Sequence, residues 1–318
     1  MPRYNVSVLM KELRNAKGFT QAQLAEGICS RQTIVKIESG ERKADWYIMQ
    51  AVFLRLGMKQ EDIQGEITEM LSADEAHVIA KRDECQQFLA TGNMEALKTL
   101  LEEMQADKRF AKDGAGRGYL IYARFNAGLH LHGAYKDTQK CLRLAMECLS
   151  LTRDDFDINK IPEYFLSLDE LMTLNMVALA YADIEGINKA IEIWFKLKEN
   201  YEKQFNIGVH ETPRYRELVL NICVALRNAE RYEECLTLAE EGLKNALTHH
   251  EMRTHLIFYR QKAWCLMKLG REEEGREWYK KFIMLAYVMN GYATVSYDLA
   301  KQEYEATFGE QLDLSLTW

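Results

Sequence analysis

Leu9 and Leu13 stand four residues apart, the spacing that places two apolar side chains on one helix face, and Gly18 is placed to end that helix. Thr20-Gln21-Ala22-Gln23 has the form of a capping box, a threonine N-cap with a glutamine three positions later, and predicts a short helix through Glu26. Gly27-Ile28-Cys29 predicts a tight turn. Ser30 is the expected cap of a third helix, Arg31 to Ser39, stopped by Gly40. Asp45 can cap a fourth helix through Leu56, stopped by Gly57, and a fifth starts near Gln60. Leu24, Ala25, Ile28, Ile34 and Ile37 have the spacing of inward-facing positions, with small Ala25 where the second and third helices cross. The outer face of the third helix then shows Arg31, Gln32, Thr33 and Lys36. Two short helices joined by a three-residue turn containing glycine describe a helix-turn-helix, whose second helix meets base edges in the major groove.

Beyond residue 70 the pattern changes to a repeat of paired helices. Leu174–Asn200 has Ala178 and Tyr181, a turn at Glu185-Gly186, then Ala190 and Trp194. Val219–Ala246 has Cys223 and Leu226, a turn near Glu230-Arg231, then Cys235 and Ala239. Tyr259–Ala286 has Ala263 and Leu266, a turn at Leu269-Gly270, then Gly275 and Tyr279. Two earlier units fit more loosely, around Leu129, Gly133, Cys141 and Ala145, and around Gln87, Gly92, Ala96 and Leu100. Small residues at these positions let paired helices approach closely. The spacing is near that of tetratricopeptide repeats. The expected fold is all-α: a five-helix head followed by a right-handed superhelix of about five helix pairs, with a concave groove lined by first helices. The expected domains are residues 1–66, a linker region at 67–75, and a sensor and dimerisation domain at 76–318.

Composition sharpens this picture. Only 3 prolines, Pro2, Pro162 and Pro213, interrupt 318 residues, which favours long helices. Residues 1–60 hold ten Lys/Arg against five Asp/Glu, so a head of charge +5 precedes a body of −12 within a net −7. A basic head on an acidic body suggests an anionic partner for the head alone. No apolar leader opens the chain and no run of about 18 apolar residues occurs, so a cytoplasmic protein without a membrane span is expected. The 7 cysteines form no C-x-x-C pair and fall mostly on apolar helix positions, as reduced core thiols would. His249, His250 and His255 read as a polar loop between repeats rather than a metal site. No phosphate loop, nucleophile elbow or metalloprotease motif is present, so neither a catalytic activity, a metal nor a cofactor is expected.

Residues 13–42, L-R-N-A-K-G-F-T-Q-A-Q-L-A-E-G-I-C-S-R-Q-T-I-V-K-I-E-S-G-E-R, closely resemble the Xre/Cro-like helix-turn-helix family. Both T-Q-x-x-L-A and I-x-x-I-E-x-G stand at the usual separation. The resemblance implies that Gln21 and Ser30 hold phosphates. Arg31, Gln32 and Lys36 should face bases, with Thr33 beside them, and Arg42 and Lys43 should touch the backbone. It also implies a partly buried structural ion pair between Arg14 and Glu38.

Head and array together resemble the RNPP family of peptide-sensing regulators, nearest to its PlcR-like members. The likeness is carried by Phe19-Thr20-Gln21 through Ile37-Glu38-Ser39-Gly40, by Arg231-Tyr232-Glu233-Glu234 with Ala239, and by Cys265-Leu266-x-Lys268-Leu269 through Tyr279-Lys280-Lys281. In that family asparagines on successive first helices bind a peptide main chain, which implies that role for Asn175 and Asn221. Tyr259, Arg260 and Tyr292 are candidate side-chain contacts. The chain departs from the PlcR-like pattern at Ala90-Thr91-Gly92-Asn93, where a lysine-rich turn is expected, and at Ile257 and Thr294. The implied function is a DNA-binding transcriptional regulator switched by a short signalling peptide, acting as a homodimer on an inverted-repeat operator. Two alternatives stay open: an array that only dimerises or docks a protein partner, and an array with the phosphatase-like or protein-sequestering activity of some relatives.

Overall fold

The computed structural model describes residues 6–43, 46–58, 72–112, 118–152, 156–164, 166, 168–204, 213–248, 252–289, 297–309 and 311, and among these all regular structure is helical. The chain divides into two compact units, Met1–Ile207 and Gly208–Trp318.

The first unit opens with α1 (Val6–Ala16), α2 (Gln21–Ala25), α3 (Arg31–Glu38) and α4 (Trp46–Arg55). The local signals behave as their chemistry requires. Thr20 and Gln23 close the capping box on α2, and the Ser30 hydroxyl accepts from the Thr33 N–H at the start of α3. Gly18, Gly40 and Gly57 sit at positive φ behind their helices. Met10, Leu24, Ile34, Ile37, Val52 and Leu56 are fully buried or nearly so. The expected cap Asp45 and the expected fifth helix near Gln60 lie outside the described residues. So does most of the expected boundary between head and array.

The end of α2 is closed by a group that local sequence does not reveal. Arg55, at the end of α4, sends one guanidinium nitrogen to the carbonyls of Leu24 (2.9 Å), Glu26 (2.6 Å) and Gln23 (3.3 Å). A five-residue helix leaves most of its carbonyls without an intrahelical partner, and one cation reaches two of them together with the carbonyl of the capping residue Glu26.

The array follows as helix pairs. In the first unit these are α5 (Ala73–Thr91) with α6 (Met94–Ala106), α7 (Gly118–Leu131) with α8 (Thr138–Thr152), and α9 (Leu168–Ile184) with α10 (Ile187–Gln204). The second unit holds α11 (Pro213–Asn228) with α12 (Tyr232–Thr248), α13 (Met252–Lys268) with α14 (Glu272–Val288), and a final α15 (Tyr297–Phe308). All five expected pairs are present. Their small residues allow close helix packing: a Cβ on Gly242 of α12 would lie 2.4 Å from the Phe258 ring of α13. Three of the five turns within pairs use a left-handed glycine, Gly92, Gly186 and Gly270, one places Glu230 at φ 58°, and the turn between α7 and α8 holds a short 3-10 helix, Gly133–Tyr135. Ion pairs three residues apart recur at the starts of second helices: Lys189–Glu192, Arg231–Glu234 and Arg271–Glu274.

Candidate functional site

One hundred degrees per residue fixes which side chains of α3 share a face. Thr33, Ile37 and Ile34 fall within one arc of about 100°, and all three are buried. Arg31, Val35, Gln32 and Lys36 occupy the opposite arc in that angular order, and all are exposed. Three of the four residues assigned to the outer face of this helix therefore stand there. Thr33 does not. It is only 9% exposed, and its hydroxyl lies 3.0 Å from that of Ser30 inside the helix cap. Its position four residues before Ile37 turns it inward. Val35, which sequence reading passed over, is 38% exposed near the middle of the outer arc.

The chain beyond α3 folds back on the same end. The Arg42 N–H donates to the Lys36 carbonyl at 3.1 Å, and the Ser39 hydroxyl donates to that carbonyl and to Glu41. Arg42 and Lys43 are exposed beside it. With Arg31 and Lys36 also exposed on α3, these cations make a positively charged surface suited to an anion.

Behind that face, Arg14 and Glu38 form the expected pair. Arg14 Nε and Nη2 donate to the two carboxylate oxygens at 2.6 and 3.1 Å, and Nη1 donates to the Phe19 carbonyl at 2.9 Å. The Glu38 side chain is 3% exposed. Burial alone would raise its pKa, but hydrogen bonds from Arg14 and Gln21 and the charges of Arg14 and Lys11 hold it below the ordinary value. Gln21 belongs to this network as well as to the α2 start: its amide donates to Glu38 at 2.9 Å. An amide carries two N–H donors, so this bond leaves a second one available.

In the array, Asn175 and Asn221 are half-buried on the first helices α9 and α11. They do not hold equivalent positions. Asn175 lies three residues before Ala178 and Asn221 two before Cys223, both reference residues being fully buried, so the asparagines differ by about 100° around their helices. The Asn175 side-chain oxygen accepts from the Trp194 indole N–H at 2.8 Å. Arg260 donates to Glu303 at 2.9 and 3.3 Å, joining α13 to α15, and Tyr259 meets Trp278 edge-on with centroids 5.2 Å apart. Tyr292 and Thr294 lie outside the described residues, as do the side chains of His249, His250 and His255.

Six cysteines are buried and none is bridged. Burial pushes the thiols of Cys85, Cys141 and Cys148 up to about 12, which keeps them protonated at neutral pH and poor as nucleophiles. No helix among the described residues is long and apolar enough to cross a membrane.

The sequence family described as helix-turn-helix matches residues 10–45, a stretch that begins within α1 and includes α2 and α3. No curated protein matches the chain. Among solved structures the chain is similar to Bacillus thuringiensis PlcR in complex with the peptide PapR7 and DNA, at 18% identity and a TM-score of 0.54, over 96% of this chain and 99% of that one. It is also similar to a protein described as a transcriptional regulator from Listeria monocytogenes EGD-e, at 13% identity and a TM-score of 0.50, over 97% of this chain and all of that one. At these identities the likeness is one of fold: an N-terminal helix-turn-helix carried on a helical-repeat body.

Proposed function

We propose that the chain is a cytoplasmic, sequence-specific DNA-binding transcriptional regulator and not an enzyme. The observation that carries this reading is the exposed arc of α3. Arg31, Gln32 and Lys36 project from a helix whose other face is buried, and Arg42 and Lys43 extend the positive charge at its C-terminal end. Arginine and glutamine are the side chains that pair two-fold with guanine and adenine edges. Gln21 and Ser30 sit at helix starts where backbone N–H groups meet phosphates. A single head of this size covers too little surface for tight specific binding, so the working form is a homodimer on an inverted repeat. Selection of bound duplexes from a random pool tests the reading. A palindromic consensus supports it; a pool that stays random through successive rounds overturns it.

The array is proposed to bind a short signalling peptide, as the fold likeness to a peptide-bound regulator suggests, and thereby to change dimer geometry or DNA affinity. Asn175 and Asn221 are the candidates for main-chain hydrogen bonds, with Tyr259, Arg260 and Tyr292 for side-chain contacts. One observation favours a second reading, an array that only dimerises or docks a protein. Asn175 and Arg260 already have partners within the chain, in Trp194 and Glu303. Calorimetric titration with a library of short peptides decides between them: saturable binding that alters DNA affinity supports the sensor, and heat-free titration throughout supports the second reading.

A further inference from the structure

Val35 is an apolar residue on the otherwise polar outer arc of α3. On the helical wheel of α3 the buried residues Thr33, Ile37 and Ile34 centre on one direction, and Val35 with Gln32 faces nearly opposite. A β-branched residue is a mediocre helix former, and Val35 keeps 38% of its surface open on the outer arc. Its neighbours on the outer arc, Arg31, Gln32 and Lys36, are all long donor-bearing side chains. Between them the valine is a short apolar floor. Donors beside it fix the distance to base edges, and a branched side chain at that depth finds one apolar group in the major groove, the 5-methyl of thymine. Cytosine and the purines offer no such group there.

We propose that Val35 is a specificity-determining residue that packs against a thymine 5-methyl in each half-site of the operator. The inference rests on the reading that α3 enters the major groove, and it adds a base that the polar residues do not choose. The occupant of the exposed apolar spot is thus a methyl group on DNA, argued from its position inside a donor-lined arc on the helix-turn-helix.

The test uses the full chain and a duplex obtained by selection. Each thymine of the half-site is replaced in turn by deoxyuridine, which removes the methyl and leaves every hydrogen-bonding atom in place. Affinity is measured by fluorescence anisotropy for the unaltered chain and for Val35→Ala. At one thymine per half-site the unaltered chain should lose about fourfold, the worth of one buried methyl-sized group. Val35→Ala should bind the thymine duplex more weakly, by a similar factor, and be indifferent to uracil at that position. If no uracil substitution affects the unaltered chain, or if Val35→Ala loses the same amount at the same position, the assignment is wrong while DNA binding stands. If no duplex is selected at all, the DNA-binding reading falls and this inference with it. Val35→Thr, which keeps the branched shape, guards against a folding artefact: it should fold as the unaltered chain does and show an intermediate uracil effect.

Discussion

Trp194 of α10 donates its indole N–H to the side-chain oxygen of Asn175 on α9, 2.8 Å away. The indole is 2% exposed, so the bond ties two paired helices together at a place where water cannot substitute. An asparagine expected to serve a ligand thus has a structural duty as well. Asn175→Ala should lower stability by about 1–3 kcal/mol through the unpaired indole, before any ligand is considered. Chemical denaturation of the two chains measures this. Trp194→Phe separates the duties, because it removes the donor and leaves Asn175 intact: a peptide that needs Asn175 should still bind that variant.

Arg14→Ala should destabilise the head by about 3 kcal/mol, because Glu38 would remain buried without its bidentate partner. Hydrogen exchange along α1 to α3 in the full chain would show faster opening there and little change in the array. The pH dependence follows from the same pair. The Glu38 pKa is lowered by folding, so its contribution is complete above the unfolded glutamate range near ~4.3 and is lost as pH falls through the lower folded value. Glu38→Gln should therefore cost stability at pH 7 and cost almost none in strong acid; an equal penalty at both would contradict the pairing.

The head's two kinds of cation should behave differently on DNA. Arg31→Ala should relax sequence preference, with a loss of about 1–3 kcal/mol of discrimination at one base pair. Arg42→Ala should weaken binding to all sequences and reduce the slope of log affinity against log salt by roughly one. Competition assays at several salt concentrations separate the two outcomes.

Glycine chemistry in the array gives a paired prediction. Glu230→Gly should stabilise the second unit by about 0.5–1 kcal/mol, since a side chain in the left-handed region costs roughly 1–2 kcal/mol and glycine returns part of that as chain entropy. Gly242→Ala should do the opposite. Helix propensity favours alanine by about 1 kcal/mol, but a Cβ 2.4 Å from a buried phenylalanine ring forces repacking worth about 1–3 kcal/mol. Melting temperatures should move up for the first and down for the second.

The parts of this fold that sequence reveals are those set by neighbours in the chain. Caps at Thr20 and Ser30 and stops at Gly18 and Gly40 act within a few residues, and each is where its chemistry places it. The helix pairs are legible because small residues recur at packing positions. Thr33 is not legible in this way, because adjacent letters look like one face, whereas 100° per residue sends it towards Ile37. The Arg55 cap on α2 and the Trp194 bond to Asn175 span 29 or more and 19 residues, and no local pattern encodes such meetings. Val35 carries a faint signal that could have been used: an apolar letter at a position where the wheel demands a polar one.

The cysteines have a practical consequence. Six are shut inside helix pairs, while Cys29 is half-buried in the turn between α2 and α3, next to Ser30. A maleimide dye added to the native chain should accordingly label one site, in the turn of the helix-turn-helix. The unaltered sequence thus supplies its own optical probe of operator engagement, and slow labelling of the other six thiols becomes a clock for how often the repeats open.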